Sequence, residues 1–229
     1  MELGVSTDQP MPRVRYLDRQ ISVLNRDGKW LAMVGIPLDT APGTQALQVN
    51  DTEIHFQVSE KEYATQYLTI TNKRQVNPNA QDMERITAER VRINKALASW
   101  SGSDPMSRDF VPPVNGERTS SFGLRRFFNG EPRNPHSGMD IGGKEGDPIV
   151  SPGAGTVVES GDFFFNGNTV FVDHGQGLVT MYCHMSRIDV TPGQSVEAGE
   201  TLGLVGSTGR VTGPHLHWSV SLNQSMVNP

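Results

Sequence analysis

The sequence predicts a mainly β chain, with two β-domains joined by one helix. Its 229 residues include 24 glycines and 15 prolines, which favour many tight turns over long helices. Residues 215–222 alternate polar and apolar side chains without interruption, as a half-buried strand does. Only residues 81–99 have helical composition. We therefore expect a β-domain over residues 1–78, a connecting helix and linker over 79–107, and a second β-domain over 108–229.

Composition narrows the class of protein before any motif is considered. Hydrophobic residues make up 35% of the chain, enough for a compact core, and no run of 18 apolar residues predicts a transmembrane helix. The net charge of −5 gives no support for nucleic-acid binding. Cys183 is the single cysteine, so no internal disulfide can form. The first residues lack the features of a signal peptide, so we expect either a cytoplasmic protein or an export signal that lies outside this sequence.

The first β-domain is expected to be a small β-sandwich of immunoglobulin-like character. Short strand-like segments follow one another at the spacing of such a domain, and Asp27-Gly28 between two of them is a strong hairpin signal. His55 lies between apolar neighbours and is expected to be a structural or surface residue. The predicted strands cover residues 14–17, 19–24, 30–36, 46–49, 53–58 and 66–72.

Residues 81–99 are expected to form a connecting helix that packs on one side and is solvated on the other. Residues 77–80 look like its N-terminal approach. A linker over residues 101–108 follows, and we place the domain boundary near residue 108. The imperfect apolar stripe consists of Met83, Ile86, Val91, Ile93 and Leu97.

The second β-domain is expected to be antiparallel, because short strands and glycine turns alternate and no helical period of useful length intervenes. A carrier hairpin for biotin or lipoate would require a lysine at its tip, and residues 192–206 contain none. The main predicted strands cover residues 147–151, 155–160, 168–173, 178–185, 201–205 and 215–222.

Two of these strands carry histidines that can be assigned to a face by alternation. In residues 215–222, His215 and His217 share one face, and Leu216 and Trp218 share the other. In residues 178–185, the same argument places His184 with Thr180 and Tyr182 on a cleft face. It places Cys183 on the core face, which makes a Cys–His nucleophile pair improbable and a buried thiol the better account.

Five side chains in the second domain are candidates for a metal site. They are His136, Asp140, His184, His215 and His217. Catalytic zinc takes three protein ligands from His and Asp or Glu and keeps a position for water. Gly138 is expected to let the chain bend so that His136 and Asp140 reach one ion. The spacing leaves open which of these histidines bind the ion and which act as acid or base. A sixth histidine, His174, lies at a predicted hairpin and is expected to be a surface turn residue.

These motifs resemble those of the lysostaphin/LytM-type zinc metalloendopeptidases, family 23 of the metallopeptidases. The resemblance covers residues 117–222 and rests on His136-Ser-Gly-Met-Asp140, on Tyr182-Cys-His184 and on Gly213-Pro-His215-Leu-His217. Residues 172–178 and 196–203 also match sequence segments that are usual in the family. Residues 1–100 are similar, more weakly, to the accessory domain and linker helix of exported bacterial members.

The resemblance implies a role for each candidate residue. His136, Asp140 and His217 would bind one zinc ion, and His184 and His215 would be catalytic without being ligands. The implied fold is an antiparallel sheet that forms the floor of a groove. Some relatives carry an additional tyrosine before the first histidine, but residues 127–135 contain none, so no such role is assigned.

The resemblance also implies a substrate and a place of action. The substrate would be the stem or cross-link peptides of bacterial peptidoglycan, and the protein would be exported to the periplasm or cell envelope. The first domain could position the enzyme, restrain it by self-inhibition or bind a protein regulator. The alternative is a non-hydrolytic cell-wall binding protein or an activator of a cell-wall amidase. Missing zinc ligands would mark that alternative, and none is missing.

Overall fold

The structure is a computed structural model that describes residues 1–102 and 110–229. The predicted mainly β architecture, with an N-terminal β-domain, a helix and an antiparallel sheet, is confirmed. The boundary predicted near residue 108 and most of the predicted linker lie outside the described residues, so the division of the chain stays a prediction.

Two small sheets form the N-terminal part, and their apolar faces share one core. One sheet has the strand order β1-β5-β4 and the other β3-β2-β6-β7. Arg26 pairs with Lys29 across the predicted hairpin turn, where Asp27 and Gly28 both have positive φ as a type I′ turn requires. The strands are β1 (Glu2–Ser6), β2 (Val14–Tyr16), β3 (Arg19–Gln20), β4 (Ser22–Arg26), β5 (Lys29–Met33), β6 (Gly43–Val49) and β7 (Thr52–Val58). The shared core consists of Leu3, Val14, Tyr16, Ile21, Val23, Ala32, Leu47 and Val49.

The next strand, β8 (Thr65–Leu68), does not belong to these two sheets. We expected residues 66–72 to complete the N-terminal series, and this was wrong. β8 instead pairs in parallel with β10 (Arg125–Phe128), which also pairs with β11 (Glu131–Pro132). The sequence of a short strand does not reveal its partner, because pairing depends on which strand edge lies within reach.

The single α-helix of the described residues, α1 (Ala80–Leu97), begins where the sequence predicted. Asn79 caps it, and Asn79 and Asp82 each bond the other's backbone N–H in a capping box. Ile86 and Ala96 are buried, but Met83 and Val91 are 45% and 68% exposed, so the predicted stripe was wrong at those two positions. A 3₁₀ helix (Lys73–Gln75) precedes α1. No helix among residues 1–102 and 110–229 has both the length and the apolar composition needed to cross a membrane.

An eight-stranded antiparallel sheet dominates the C-terminal part. Its order is β18-β14-β15-β16-β20-β12-β9, and β21 pairs with β20. A second sheet has the order β13-β19-β17. The bounds are β9 (Arg118–Ser120), β12 (Met139–Gly142), β13 (Pro148–Val150), β14 (Gly155–Phe163), β15 (Gly167–Asp173), β16 (Leu178–Met185), β17 (Arg187–Ile188), β18 (Ser195–Val196), β19 (Thr201–Leu204), β20 (His215–Leu222) and β21 (Ser225–Val227).

The two faces of the large sheet contribute to different cores. Tyr182 and Trp218 belong to the larger core, together with Leu202 of the smaller sheet. Met181 and Cys183 belong to a second core with Ala96 of α1. Helix α1 therefore packs on the face opposite the larger core.

Candidate active site

Three of the five predicted residues converge on one face of the large sheet. Asp140 on β12 lies directly opposite His217 on the antiparallel neighbour β20, so both side chains project from one face. Asp140 Oδ1 is 2.7 Å from His217 Nδ1 and 2.9 Å from His136 Nε2. His136 Nε2 and His217 Nδ1 are 2.9 Å apart. All three residues are buried, with exposures of 2%, 7% and 8% for His136, Asp140 and His217.

The hydrogen bonds around this cluster turn three lone pairs toward one point. His136 Nδ1 donates to the carbonyl oxygen of Ser121 at 2.7 Å, which leaves Nε2 without a proton in the neutral ring. His217 Nε2 contacts Ser219 Oγ at 2.9 Å, and donation there frees Nδ1 in the same way. Burial alone would raise the pKa of Asp140, but its close contacts with the two imidazole rings hold that pKa far below its usual range, so the carboxylate is ionised. Two imidazole nitrogens and one carboxylate oxygen suit one zinc ion.

Gly138 has a different role from the one predicted. A Cβ atom at this position would lie 2.4 Å from the carbonyl oxygen of Trp218 and 2.5 Å from Ser219 Oγ. Glycine is therefore required because the segment between His136 and Asp140 runs against the backbone of β20. Gly138 is needed because this segment and β20 approach each other closely, so the reason that we predicted, a bend in the chain, was wrong.

His184 lies beside this cluster, but the alternation argument that placed it there was wrong. Cys183 pairs with His217 and therefore shares the site face, whereas Tyr182 pairs with Trp218 and lies in the larger core. Strict alternation would bury His184 with Tyr182. A bulge prevents this: the pairing with β15 shifts between Tyr182 and Met185, and His184 has φ +66°.

The bulge brings His184 next to the other two histidines of the site. Its ring centroid is 5.0 Å from that of His215 and 6.0 Å from that of His217. His184 Nδ1 donates to the carbonyl oxygen of Thr208 at 2.9 Å, and His215 Nδ1 donates to that of Gly213 at 2.8 Å. Both rings thus turn Nε2 toward the cluster, and His215 Nε2 is 3.8 Å from Asp140 Oδ1. Burial, helped by the neighbouring His217 and His215, holds the pKa of His184 well below its ordinary value.

Cys183 is unsuited to act as a nucleophile although it shares the site face. The side chain is 1% exposed and packs in the core beneath α1. Burial raises the pKa of the thiol, so the reactive thiolate is not formed near neutral pH.

His174 is not the surface turn residue that we expected. Its Nδ1 is 2.8 Å from the carbonyl oxygen of Ala154, and its Nε2 is 2.7 Å from Thr180 Oγ1, which in turn contacts Tyr182 Oη. Burial lowers the pKa of His174, so a neutral ring joins two strands. The Gly-rich turn beside it suggested exposure, but the ring folds back onto the sheet.

Sequence reasoning missed Arg126, which holds the second oxygen of Asp140. Its Nη2 is 2.7 Å from Asp140 Oδ2 and 3.1 Å from Ser120 Oγ, and its Nε donates to Gln66 Oε1 of β8 at 3.0 Å. The guanidinium therefore fixes the plane of the carboxylate while Oδ1 faces the two imidazoles. No spacing rule pointed to it, because its partner lies 14 residues away on another strand.

Replacing Arg126 with Gln should weaken zinc binding by about 10- to 100-fold, because the Asp140 carboxylate would lose the partner that orients it. Competition with a chromophoric chelator measures the affinity. The matched control is Arg125→Gln, which removes an exposed arginine from the same strand and should leave the affinity unchanged. Tighter zinc binding in Arg126→Gln would show instead that repulsion by the guanidinium outweighs its orienting effect.

Two adjoining cavities meet at the site. The larger, about 850 Å³, runs along α1 and is lined by His136, His184 and His217. The smaller, about 280 Å³, is lined by Asp140, His184 and His215 and by residues 66, 68 and 70 near β8. Together they form a groove on whose floor the His–Asp–His cluster lies.

The sequence models of two protein families match this chain. The model of Peptidase family M23 matches residues 134–229, which contain all five site residues. That of the Peptidase family M23 N-terminal domain matches residues 2–61.

Individual relatives agree with this. The structure of a candidate peptidase M23 from Pseudomonas aeruginosa is 40% identical, covers all of this chain and 90% of its own, and superimposes with a TM-score of 0.82. The peptidoglycan DD-endopeptidase ShyA of Vibrio cholerae is 40% identical over 111 residues, 48% of this chain and 26% of its own length. The DD-carboxypeptidase/endopeptidase Mpg of Neisseria meningitidis is 36% identical over 118 residues, 52% of this chain and 27% of its own length. The match therefore spans about a quarter of the length of these curated relatives. The resemblance seen in the sequence is confirmed, and the chain belongs to peptidase family M23.

Proposed function

We propose that this protein is a zinc-dependent endopeptidase that hydrolyses the stem or cross-link peptides of bacterial peptidoglycan. The observation that carries the proposal is the convergence of His136, Asp140 and His217, with two further imidazoles beside them in an open groove. The relatives named as peptidoglycan endopeptidases support the choice of substrate. An enzyme that acts on peptidoglycan works outside the cytoplasm, so we propose the periplasm or cell envelope as its location.

In this proposal, His136 Nε2, His217 Nδ1 and Asp140 Oδ1 hold the zinc ion. When bound there, zinc supplies Lewis acidity toward the scissile carbonyl and lowers the pKa of water toward ~7. The ring hydrogen bonds to Ser121 and Ser219 keep both ligand nitrogens free of protons.

His184 and His215 perform the proton transfer and stabilise the developing charge. Their Nδ1–H groups are bonded to backbone carbonyls, so the lone pair of each neutral ring is on Nε2. One Nε2 takes the proton of the attacking water and delivers it to the leaving amine. The other imidazole stabilises the negative charge that develops on the carbonyl oxygen.

The test is mass spectrometry of a purified cross-linked muropeptide dimer incubated with the zinc-loaded protein. We expect water to be added across one peptide bond, a chelator to stop the reaction, and added zinc to restore it. An intact dimer in the presence of a zinc-loaded, folded protein would favour the alternative, a non-hydrolytic binding protein or amidase activator.

We further propose that the N-terminal part positions or restrains the groove. Strand β8 pairs with β10, and Gln66 accepts a hydrogen bond from Arg126, the arginine that holds Asp140. Self-inhibition and binding of a protein regulator are both compatible with this contact. A chain beginning near residue 107 that hydrolysed the dimer at an unchanged rate would count against restraint.

A further inference from the structure

One loop, residues 207–214, orients both catalytic imidazoles and carries an arginine that has no role in the proposed mechanism. The loop supplies the carbonyl oxygens of Thr208 and Gly213, which accept the Nδ1–H of His184 and of His215. Arg210 lies between these two points, and its backbone N–H donates to the carbonyl oxygen of Phe165 at 2.9 Å. The position of Arg210 is therefore fixed by the same loop that orients the site.

The guanidinium of Arg210 contacts the faces of two aromatic rings. It lies 4.7 Å from the ring centroid of Phe128 and 4.3 Å from that of Phe165. Cation–π contacts of this kind restrain the plane of the group and leave its N–H edge for hydrogen bonds. Among the described residues this edge makes one weak contact, in which Nη1 donates to the carbonyl oxygen of Gln75 at 3.4 Å.

Within the part of the chain that the structure describes, Arg210 also lacks a negative partner. Arg126 and Arg133, two arginines whose charges act on Arg210, each pair with a carboxylate, Asp140 and Glu131 respectively. Among residues 1–102 and 110–229, no carboxylate lies within ion-pair distance of Arg210. Burial, together with the charges of Arg126 and Arg133, lowers its pKa to about 10, so the side chain still carries its charge at neutral pH.

An uncompensated, partly buried cation with a free hydrogen-bonding edge is a binding site for an anion. Guanidinium groups bind carboxylates with two parallel hydrogen bonds. Arg210 lines both cavities of the groove, and so does His184, so an anion bound there would lie next to the scissile peptide. A desolvated charge of this kind is costly without a partner, and a substrate carboxylate would remove that cost.

We propose that Arg210 determines substrate specificity by binding a free carboxylate of the peptide close to the scissile bond. The inference rests on the proposed function in that the groove is taken to bind peptides. It narrows the substrate class to peptides with an ionised carboxylate near the cleaved bond, and it disfavours peptides in which that group is amidated.

The test compares a cross-linked muropeptide dimer with forms of it in which each free carboxylate is amidated in turn. Hydrogen bonds to charged groups contribute about 1.5–3 kcal/mol, which corresponds to roughly 10- to 150-fold. We expect the zinc-loaded protein to prefer the acid over one amidated form by this factor in kcat/KM. In Arg210→Gln the ratio should fall to about one, whatever the absolute rates, and in Arg210→Lys it should be intermediate. Arg125→Gln is the matched loss of charge and should keep the full preference.

Binding to the chelated protein, measured by calorimetry, separates this inference from the proposed function. If no peptide is cleaved but the acid binds more tightly than its amidated form, and Arg210→Gln abolishes the difference, the inference holds and the proposed function fails. If the dimer is cleaved but every amidated form is cleaved equally well, only the inference fails. Equal losses for acid and amidated peptides in Arg210→Gln would show a structural role and would also overturn it.

Discussion

Replacing His217 or Asp140 with Ala should remove both zinc and activity. Each supplies one of three converging ligand atoms, and two ligands in an open groove cannot retain the ion at low concentration. The Lewis acidity lost with the ion is worth several kcal/mol, so kcat/KM should fall by about 10³-fold or more. Elemental analysis of the purified protein and hydrolysis of the muropeptide dimer measure the two effects.

The control for this experiment is His55→Ala. His55 is a histidine of the N-terminal sheet whose side chain is 58% exposed, so its removal should change neither zinc content nor rate. Asp140→Ala also leaves Arg126 without its carboxylate partner, so circular dichroism should establish that the variant folds. If it does not fold, Asp140→Asn, which preserves the shape of the side chain, takes its place. A His217→Ala protein that kept one equivalent of zinc would contradict the proposed ligand set.

Replacing His184 or His215 with Ala should also abolish turnover, but these variants should retain zinc. Neither ring contributes to the three converging atoms, and both are bonded to the loop through Nδ1. Loss of a general base typically costs 10²–10⁴-fold and loss of an oxyanion donor about 10²–10³-fold, so kcat should fall within these limits. The measurement is kcat on the dimer at saturating zinc, with metal content determined on the same samples.

Loss of zinc from the His215 variant would reverse the assignment between His215 and His217. The two lie on one face of β20, two residues apart, so either could in principle reach an ion. What separates them in the structure is the register. His217 is opposite Asp140, whereas His215 is opposite Gly142 near the rim of the groove.

The sequence was informative wherever chemistry follows from local periodicity. The uninterrupted alternation in β20 predicted that His215 and His217 share a face, and the Asp27-Gly28 turn predicted its hairpin. Residues 77–80 predicted the approach to α1, and the structure places its cap within them, at Asn79. These features depend on side-chain geometry over a few residues, which the sequence specifies directly.

Alternation failed in β16: it assigned Tyr182 to the cleft face, but Tyr182 lies in the larger core and Cys183 shares the site face. His184 reaches the site because a bulge inserts a residue and reverses the faces that follow it. A bulge depends on how two strands meet, and nothing in residues 178–185 marks it.

By itself, the sequence determined that this is a mainly β chain with a helix between its two β-rich parts, and that five histidine and aspartate side chains lie on motifs of a zinc peptidase. Only the tertiary structure decided which atoms meet, that Arg126 holds Asp140, and that Arg210 lies over two phenylalanine rings with no carboxylate partner among the described residues. The reason is physical: strand register, bulges and long-range ion pairs depend on residues distant in the chain. A local pattern fixes the direction of a side chain along its own strand, but not the partner that it will meet.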